Sequence, residues 1–187
     1  QGDLVLIATG RRACTKGLFA ADASEDVKSM AMDRGRIQVN GRFETSVPGI
    51  YAIGDVTGGI QLAHAATAQG RNAVAAMAGK EPSIDLSVIP GCVYTDPDEA
   101  KAAGLEIISR KYVMGANGKS VLSGQERGFI KIVAASDTHR ILGAQMMCAR
   151  ATDMISQFSA AIVNGLTLED LARVVFPHPT FSEAIGE

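Results

Sequence analysis

The stretch "GIYAIGDVTGGIQLAHAATAQGRNAVAAMAG", residues 49–79, changes local character three times in succession. "GIYAIGD" is a short apolar run closed by Gly54 and Asp55, which predicts a buried strand. Gly58 and Gly59 then turn the chain, and residues 62–78 carry eight alanines and no proline, which predicts a helix stopped by Gly79. A strand, a glycine-rich turn and a helix make half of a nucleotide-binding unit. Open α/β sheets place ligands at the carboxyl ends of their strands, so Asp55 is positioned to accept hydrogen bonds from sugar or ribitol hydroxyls. The helix that starts near Leu62 would aim free backbone N–H groups and its positive dipole end at an electron-rich group. The bland alternative is an ordinary Gly-Asp turn followed by alanines that only help the helix pack.

Upstream, "DLVLIATG" (residues 3–10) is a second apolar run ending in glycine and predicts another buried strand of a parallel sheet. It opens abruptly after Gln1, as expected of a piece of a longer protein. Arg11 and Arg12 follow it on a surface loop. "RIQVNGRF" places β-branched residues before an Asn-Gly pair, a tight-turn signal. Downstream, "GKEPSIDLSVIPG" (residues 79–91) mixes two prolines with polar residues, and a domain boundary is expected near residue 86.

Beyond that boundary the pattern is antiparallel. "EIISRKYVMGANGKS" contains an Asn-Gly turn at Asn117 and Gly118, and "GFIKIVA" and "RILGAQMM" flank the polar "ASDT" as in a hairpin. From Ala151, small and apolar residues at 151, 154, 155, 158, 161, 162 and 165 recur at helical spacing, with Gly165 as the stop. "TLED", residues 167–170, opens a further helix. The expected fold class is therefore an α/β fragment of a nucleotide-binding domain followed by an α+β domain with an antiparallel sheet and helices.

The chain has 187 residues, 47% hydrophobic and 20% charged, with a formal net charge of -2. Neither Lys nor Arg clusters on a periodic face, which argues against nucleic acid as a partner. No apolar run reaches membrane-spanning length and residues 1–20 lack a signal-peptide pattern, so a cytoplasmic protein, or a mitochondrial-matrix one in a eukaryote, is expected. Cys14, Cys92 and Cys148 are odd in number and far apart, which argues against a disulfide framework and against a zinc site.

Near the end, "FPHPTFSE" (residues 176–183) holds His178 between two prolines. Pro177 fixes its own φ and Pro179 pushes His178 out of the helical region, so the imidazole leaves a stiff backbone. Thr180 and Glu183 fit a capping box at the start of a short helix. Alternatively, His178 is a general base and Glu183 the carboxylate that orients its ring. The two readings are compatible, because Glu183 in the first turn could reach back across the helix entrance. His139, beside the hairpin turn, is expected to be solvated, and His64 has a weak claim on spacing alone.

Together, "ATGRR", "TSVPGIYAIGDVTGG", "LAHAATAQG", "VYTDP", "ILGAQMM" and "HPTFSE" resemble the C-terminal part of the flavin-dependent pyridine nucleotide disulfide oxidoreductases. "LAHAA" is similar to the lipoamide branch of that family, while "HPT" with a following Glu is shared with glutathione reductase relatives. The resemblance implies that residues 1–18 are the tail of an NAD-binding domain, 19–85 the returning segment of an FAD-binding domain, and 86–187 a dimerisation domain. Asp55 would hold the ribitol of FAD, and the backbone of Leu62, Ala63 and His64 would lie at the flavin's pyrimidine side. His178, oriented by Glu183, would take a proton from a dihydrolipoyl thiol in the active site of the other subunit of a homodimer, with electrons passing through FAD to NAD. Lipoyl domains of 2-oxoacid dehydrogenase complexes would be partners.

A G-x-G-x-x-G loop and a closely spaced cysteine pair are absent from these residues, so the chain alone is expected to be inactive. An inert dimerisation fragment and a glutathione-reductase-like enzyme are the competing readings. Two departures stand out. Ala13 and Cys14 occupy positions where the family has Pro and Asn. A family segment is also missing between Pro97 and Asp98, which predicts Cα atoms much farther apart there than the roughly 3.8 Å of a trans peptide.

Overall fold

The computed structural model describes residues 4–6, 9–91 and 105–187, and the chain divides into two units, Gln1–Leu86 and Ser87–Glu187. The predicted gap between Pro97 and Asp98, and Cys92, lie outside the described residues.

In the first unit a short helix α1 (Glu25–Lys28) precedes an antiparallel ribbon of β1 (Met32–Asp33) and β2 (Arg36–Ile37). The predicted Asn-Gly turn follows. The Asn40 carbonyl accepts from the Phe43 N–H (3.0 Å), and its side-chain Oδ1 accepts from the N–H groups of Arg42 (2.9 Å) and Glu44 (3.1 Å). An Asn side chain that mimics a backbone turn in this way fixes the reversal locally. Met30, Ile37 and Ala52 form a small core that Phe19, Val39, Ile50 and Val56 pack around.

Helix α2 (Ala63–Met77) occupies the alanine-rich segment. It ends as its sequence requires: Gly79 takes φ +69°, its N–H donates to the Ala76 carbonyl (3.0 Å), and the Lys80 N–H donates to Ala75 (2.9 Å). That is the paired bonding of a Schellman stop, which places its C′ residue in the left-handed region. Asn72, buried in mid-helix, grips the chain beyond. Its Nδ2 donates to the Ile84 carbonyl (2.9 Å) and its Oδ1 accepts from the Ile84 N–H (3.1 Å).

Two strand expectations are not met among the described residues of this unit, and residues 3, 7 and 8 of the first lie outside them. Leu4, Val5 and Leu6 are almost fully exposed and in no strand, and residues 50–55 contribute only a single bridge, Tyr51 to Glu44, before a 3₁₀ turn at Gly54–Thr57. An apolar run becomes a strand only when neighbouring strands satisfy its backbone groups, and among the described residues no ladder runs beside either segment.

The second unit is an antiparallel sheet in the order β3 (Ile107–Val113), β4 (Phe129–Ala135), β5 (Ile141–Met147). In register, Tyr112 faces Ile130 and Ile130 faces Met146, while Ile132 faces Ala144. These residues share one side of the pleat, and that side packs on the helical layer. Helix α4 (Ala151–Val163) lies against β5 and buries Met154, Phe158 and Ala161, the inner stripe of its apolar spacing. Gly165 closes it with another Schellman pair. Helix α5 (Leu168–Ala172) opens on a capping box in which Thr167 and Asp170 bond reciprocally.

The Asn117–Gly118 turn is not a turn. Asn117 is the N-cap of a short helix α3 (Gly118–Leu122), its Oδ1 accepting from the Ser120 N–H (2.9 Å). Asn serves both purposes because its side-chain oxygen can stand in for either acceptor, and here the following residues continue as a helix. The chain finishes in a 3₁₀ turn, Phe181–Ile185, whose Ala184 and Ile185 are buried in the same core as Met114, Ile130 and Phe158.

Candidate functional site

The first group of predicted residues sits at one end of α2. Gly54–Thr57 packs against that helix: the Gly54 N–H donates to Gln69 Oε1 (2.7 Å), and a Cβ placed on Gly54 would lie 3.1 Å from Ala66 Cβ. Gly70 is equally constrained, since a Cβ there would lie 3.1 Å from Ile53 Cδ1. These close approaches set the turn that carries Asp55 against the first half of α2. Leu62 is the N-cap of α2 and makes no side-chain capping bond. Asp55 was expected at the end of a parallel strand; it stands instead in the 3₁₀ turn. Its Oδ2 lies 3.6 Å from Arg11 Nη1, a partner that spacing along the chain does not reveal. A carboxylate in a turn whose backbone closely approaches a helix, with glycines where other side chains would crowd, can accept hydrogen bonds from hydroxyl groups.

The second group is the terminal octet, and its dyad is formed. His178 Nδ1 and Glu183 Oε1 are 2.7 Å apart. The other carboxylate oxygen, Oε2, accepts from the Thr180 N–H (2.8 Å), and the Thr180 hydroxyl donates to the Pro177 carbonyl (2.8 Å). The capping-box and dyad readings are thus realised by one carboxylate, with a different oxygen for each. A carboxylate only accepts, so Nδ1 carries a proton, and in the neutral tautomer that this selects, the lone pair is on Nε2. The His178 side chain is 77% exposed while that of Glu183 is 23% exposed, so the ring projects from an anchored carboxylate. The peptide bond between His178 and Pro179 is cis.

The Thr180 N–H, and then the contact with His178, hold the Glu183 carboxyl below the usual carboxylate range. The acid therefore stays ionised, able to orient a ring and balance an imidazolium, to a lower pH than an ordinary glutamate. Burial pushes the Cys148 thiol up, which suits a packing residue and not a nucleophile.

Three further features were missed from sequence. His139 is not merely solvated: its Nδ1 pairs with Glu169 Oε1, thirty positions along. Asn117 donates from Nδ2 to the Thr180 carbonyl (3.0 Å), a contact across 63 positions. The Arg11–Asp55 pair is the third. Long separation along the chain hides all three.

Known proteins give a consistent picture. Residues 89–187 match the family model described as pyridine nucleotide-disulphide oxidoreductase, dimerisation domain, and residues 1–70 match the model described as pyridine nucleotide-disulphide oxidoreductase. Dihydrolipoyl dehydrogenase of Bacillus subtilis is 38% identical over 196 residues, covering 100% of this chain and 41% of the relative. The mitochondrial dihydrolipoyl dehydrogenase of Homo sapiens is 38% identical over 194 residues, covering 99% of this chain and 37% of the relative. Among solved structures, the copper(II) complex of an HOCl-induced flavoprotein disulfide reductase mutant from Escherichia coli superposes with a TM-score of 0.81 at 25% identity, over 95% of this chain and 42% of that one. LpdA from Mycobacterium tuberculosis gives a TM-score of 0.77 at 25% identity, over 84% and 37%. The chain spans about two fifths of the length of the curated relatives it matches.

Proposed function

The chain belongs to the pyridine nucleotide-disulphide oxidoreductases, and from that premise we propose that it is the C-terminal part of an FAD- and NAD-using flavoprotein that reoxidises protein-bound dihydrolipoamide. The observation that carries the reading is the His178–Glu183 dyad, an exposed ring with its Nδ1 engaged by an anchored carboxylate. Within it, His178 Nε2 takes a proton from a dihydrolipoyl thiol, and Glu183 keeps the tautomer and balances the resulting imidazolium. The thiolate so formed attacks a disulfide carried outside these residues. Exposure of the ring fits action on a partner subunit, with residues 86–187 as the dimerisation domain of a homodimer. The reactant would be the lipoyl domain of a 2-oxoacid dehydrogenase complex.

For the cofactor, Asp55 would hold the ribitol hydroxyls, and the backbone N–H groups around Leu62, Ala63 and His64 would face the flavin's pyrimidine edge. FAD, when bound, supplies the two-electron relay from dithiol to NAD. Residues 1–18 would then close an NAD domain and 19–85 would return to the FAD domain. The 36–39% identity to dihydrolipoyl dehydrogenases favours this substrate over glutathione disulfide.

The test is turnover in the full-length flavoprotein. His178→Gln should lower dihydrolipoamide-dependent NAD reduction by about 10²–10⁴-fold with the flavin spectrum intact. Unchanged turnover removes His178 from the mechanism. NADPH-dependent reduction of glutathione disulfide, with no activity toward dihydrolipoamide, would reassign the substrate. A colourless dimer without turnover would leave only a dimerisation role.

A further inference from the structure

Asn117 is 3% exposed and Ser120, which it caps, is fully buried. Its carboxamide cannot turn over. Oδ1 accepts from both the N–H (2.9 Å) and the hydroxyl (3.0 Å) of Ser120, while Nδ2 donates to the Thr180 carbonyl (3.0 Å), an acceptor that could not be paired with an oxygen. Thr180 is also the residue whose N–H holds Glu183 Oε2, and Glu183 Oε1 holds His178 Nδ1. The neighbour of Asn117 lies near the ring: a Cβ added to Gly118 would lie 3.9 Å from His178 Cε1. The start of α3 is thus bonded to the Thr180 backbone and lies close to the imidazole.

We infer that Asn117 is a positioning residue for the His178–Glu183 dyad, acting through the Thr180 backbone, with its buried carboxamide fixing the segment that aims Nε2 at the thiol. The inference rests on the proposed role of His178. An α3 cap alone would need only Oδ1; the Nδ2 bond joins that cap to the loop carrying the base. Because the Thr180 N–H is the foremost cause of the lowered Glu183 titration, loosening Thr180 should also let that carboxyl drift back towards its ordinary range.

The experiment compares variants of the full-length dimeric flavoprotein in NAD reduction by dihydrolipoamide. Asn117→Ala should lower kcat about tenfold to a hundredfold, the usual scale for a small misplacement of a catalytic group, with KM within about twofold. The acid limb of the kcat–pH profile should move to higher pH, as expected when the Glu183 carboxyl protonates earlier. Asn117→Asp keeps the acceptor that caps α3 but loses the donor to Thr180, and should show a similar fall in kcat; it keeps the question answerable if the alanine variant folds poorly. In a His178→Gln background, Asn117→Ala should cost nothing more. Thr167→Ala, which removes a helix cap far along the chain from the dyad, should lower the melting temperature and leave kcat alone. The inference falls if Asn117→Ala and Asn117→Asp leave kcat and the acid limb unchanged, if the loss persists in the His178→Gln background, or if Thr167→Ala reproduces it. Unchanged turnover in His178→Gln itself removes the catalytic reading and the inference together, whereas a slow His178→Gln beside unaffected Asn117 variants removes the inference alone.

Discussion

Two histidine–glutamate pairs stand in the second unit, each joined through Nδ1 and Oε1, and they are built in opposite senses. In the His178 pair the ring is 77% exposed and its carboxylate 23%; in the His139 pair the ring is 44% exposed and its carboxylate 53%. Glu183 is followed directly by Ala184 and Ile185, both in the core, and its second oxygen is held by a backbone N–H. Glu169 sits on the first turn of α5, where the chain beside it, from His139 to Leu168, is already tied by the Arg140–Thr167 bridge and the Leu168 N–H to the His139 carbonyl (3.1 Å). One pair presents a ring outward from a fixed base. The other latches a hairpin turn to a helix. A His–carboxylate contact by itself therefore says little about chemistry; which partner is anchored and which is offered says more.

The sharpest break of this contrast is a matched pair of substitutions. His178→Gln should cost about 10²–10⁴-fold in kcat, while His139→Gln should leave turnover near that of the parent. Equal losses would mean that the two pairs are not distinct in role. The anchor can be attacked next. Ile185→Ala empties a buried site beneath Glu183 and should destabilise the protein by about 2–5 kcal/mol, measured by denaturant unfolding, and should also depress kcat because the carboxylate loses its footing.

The smallest effect separates the pairs by pH. The His139 hydrogen bond is the foremost cause that holds the Glu169 carboxyl below its ordinary range. A depressed folded-state value stabilises the native state above the ordinary carboxylate pKa and is lost as pH falls through the folded one. The melting temperature of Glu169→Gln should accordingly lie slightly below that of the parent at neutral pH and converge with it in acid, with kcat unaltered. A gap that persists in acid would mean that the latch does not depend on the charge of Glu169.

Much of the candidate site was legible because it is local. Thr180 and Glu183 are three positions apart and His178 and Glu183 five, so spacing and the two prolines foretell both the cap and the dyad. The helix stops at Gly79 and Gly165 and the hairpin around 136–139 are of the same kind. The Asn117–Gly118 pair shows the limit. Asn-Gly announces a reversal or a cap equally well, and burial of the following Ser120 decided for the cap.

Asp55 was read from the order of strand, glycines and helix, and Leu62, Ala63 and His64 from the family resemblance; the packing of Gly54 and Gly70 against Ala66 and Ile53 shows why glycine stands at those two positions. The described residues of the first apolar run, 4–6 and 9–10, and residues 49–55 fared differently. Their apolar runs were read as strands, yet every hydrogen bond of a strand goes to another segment, and apolar character alone cannot provide it.

Short-range spacing was thus enough for the helix ends, the antiparallel hairpin and the residues of the dyad, because each depends on side chains and backbone groups within a few positions of one another, and the family was legible as a resemblance of short motifs. Folding of the second unit decided the rest: that the Glu183 turn is nailed to the core by Ile185, that Asn117 reaches Thr180 across 63 positions, and that His139 finds Glu169. Those contacts exist only once the sheet and helices have brought distant segments together. Their geometry distinguishes a ring held outward on an anchored carboxylate from one that joins a hairpin turn to a helix.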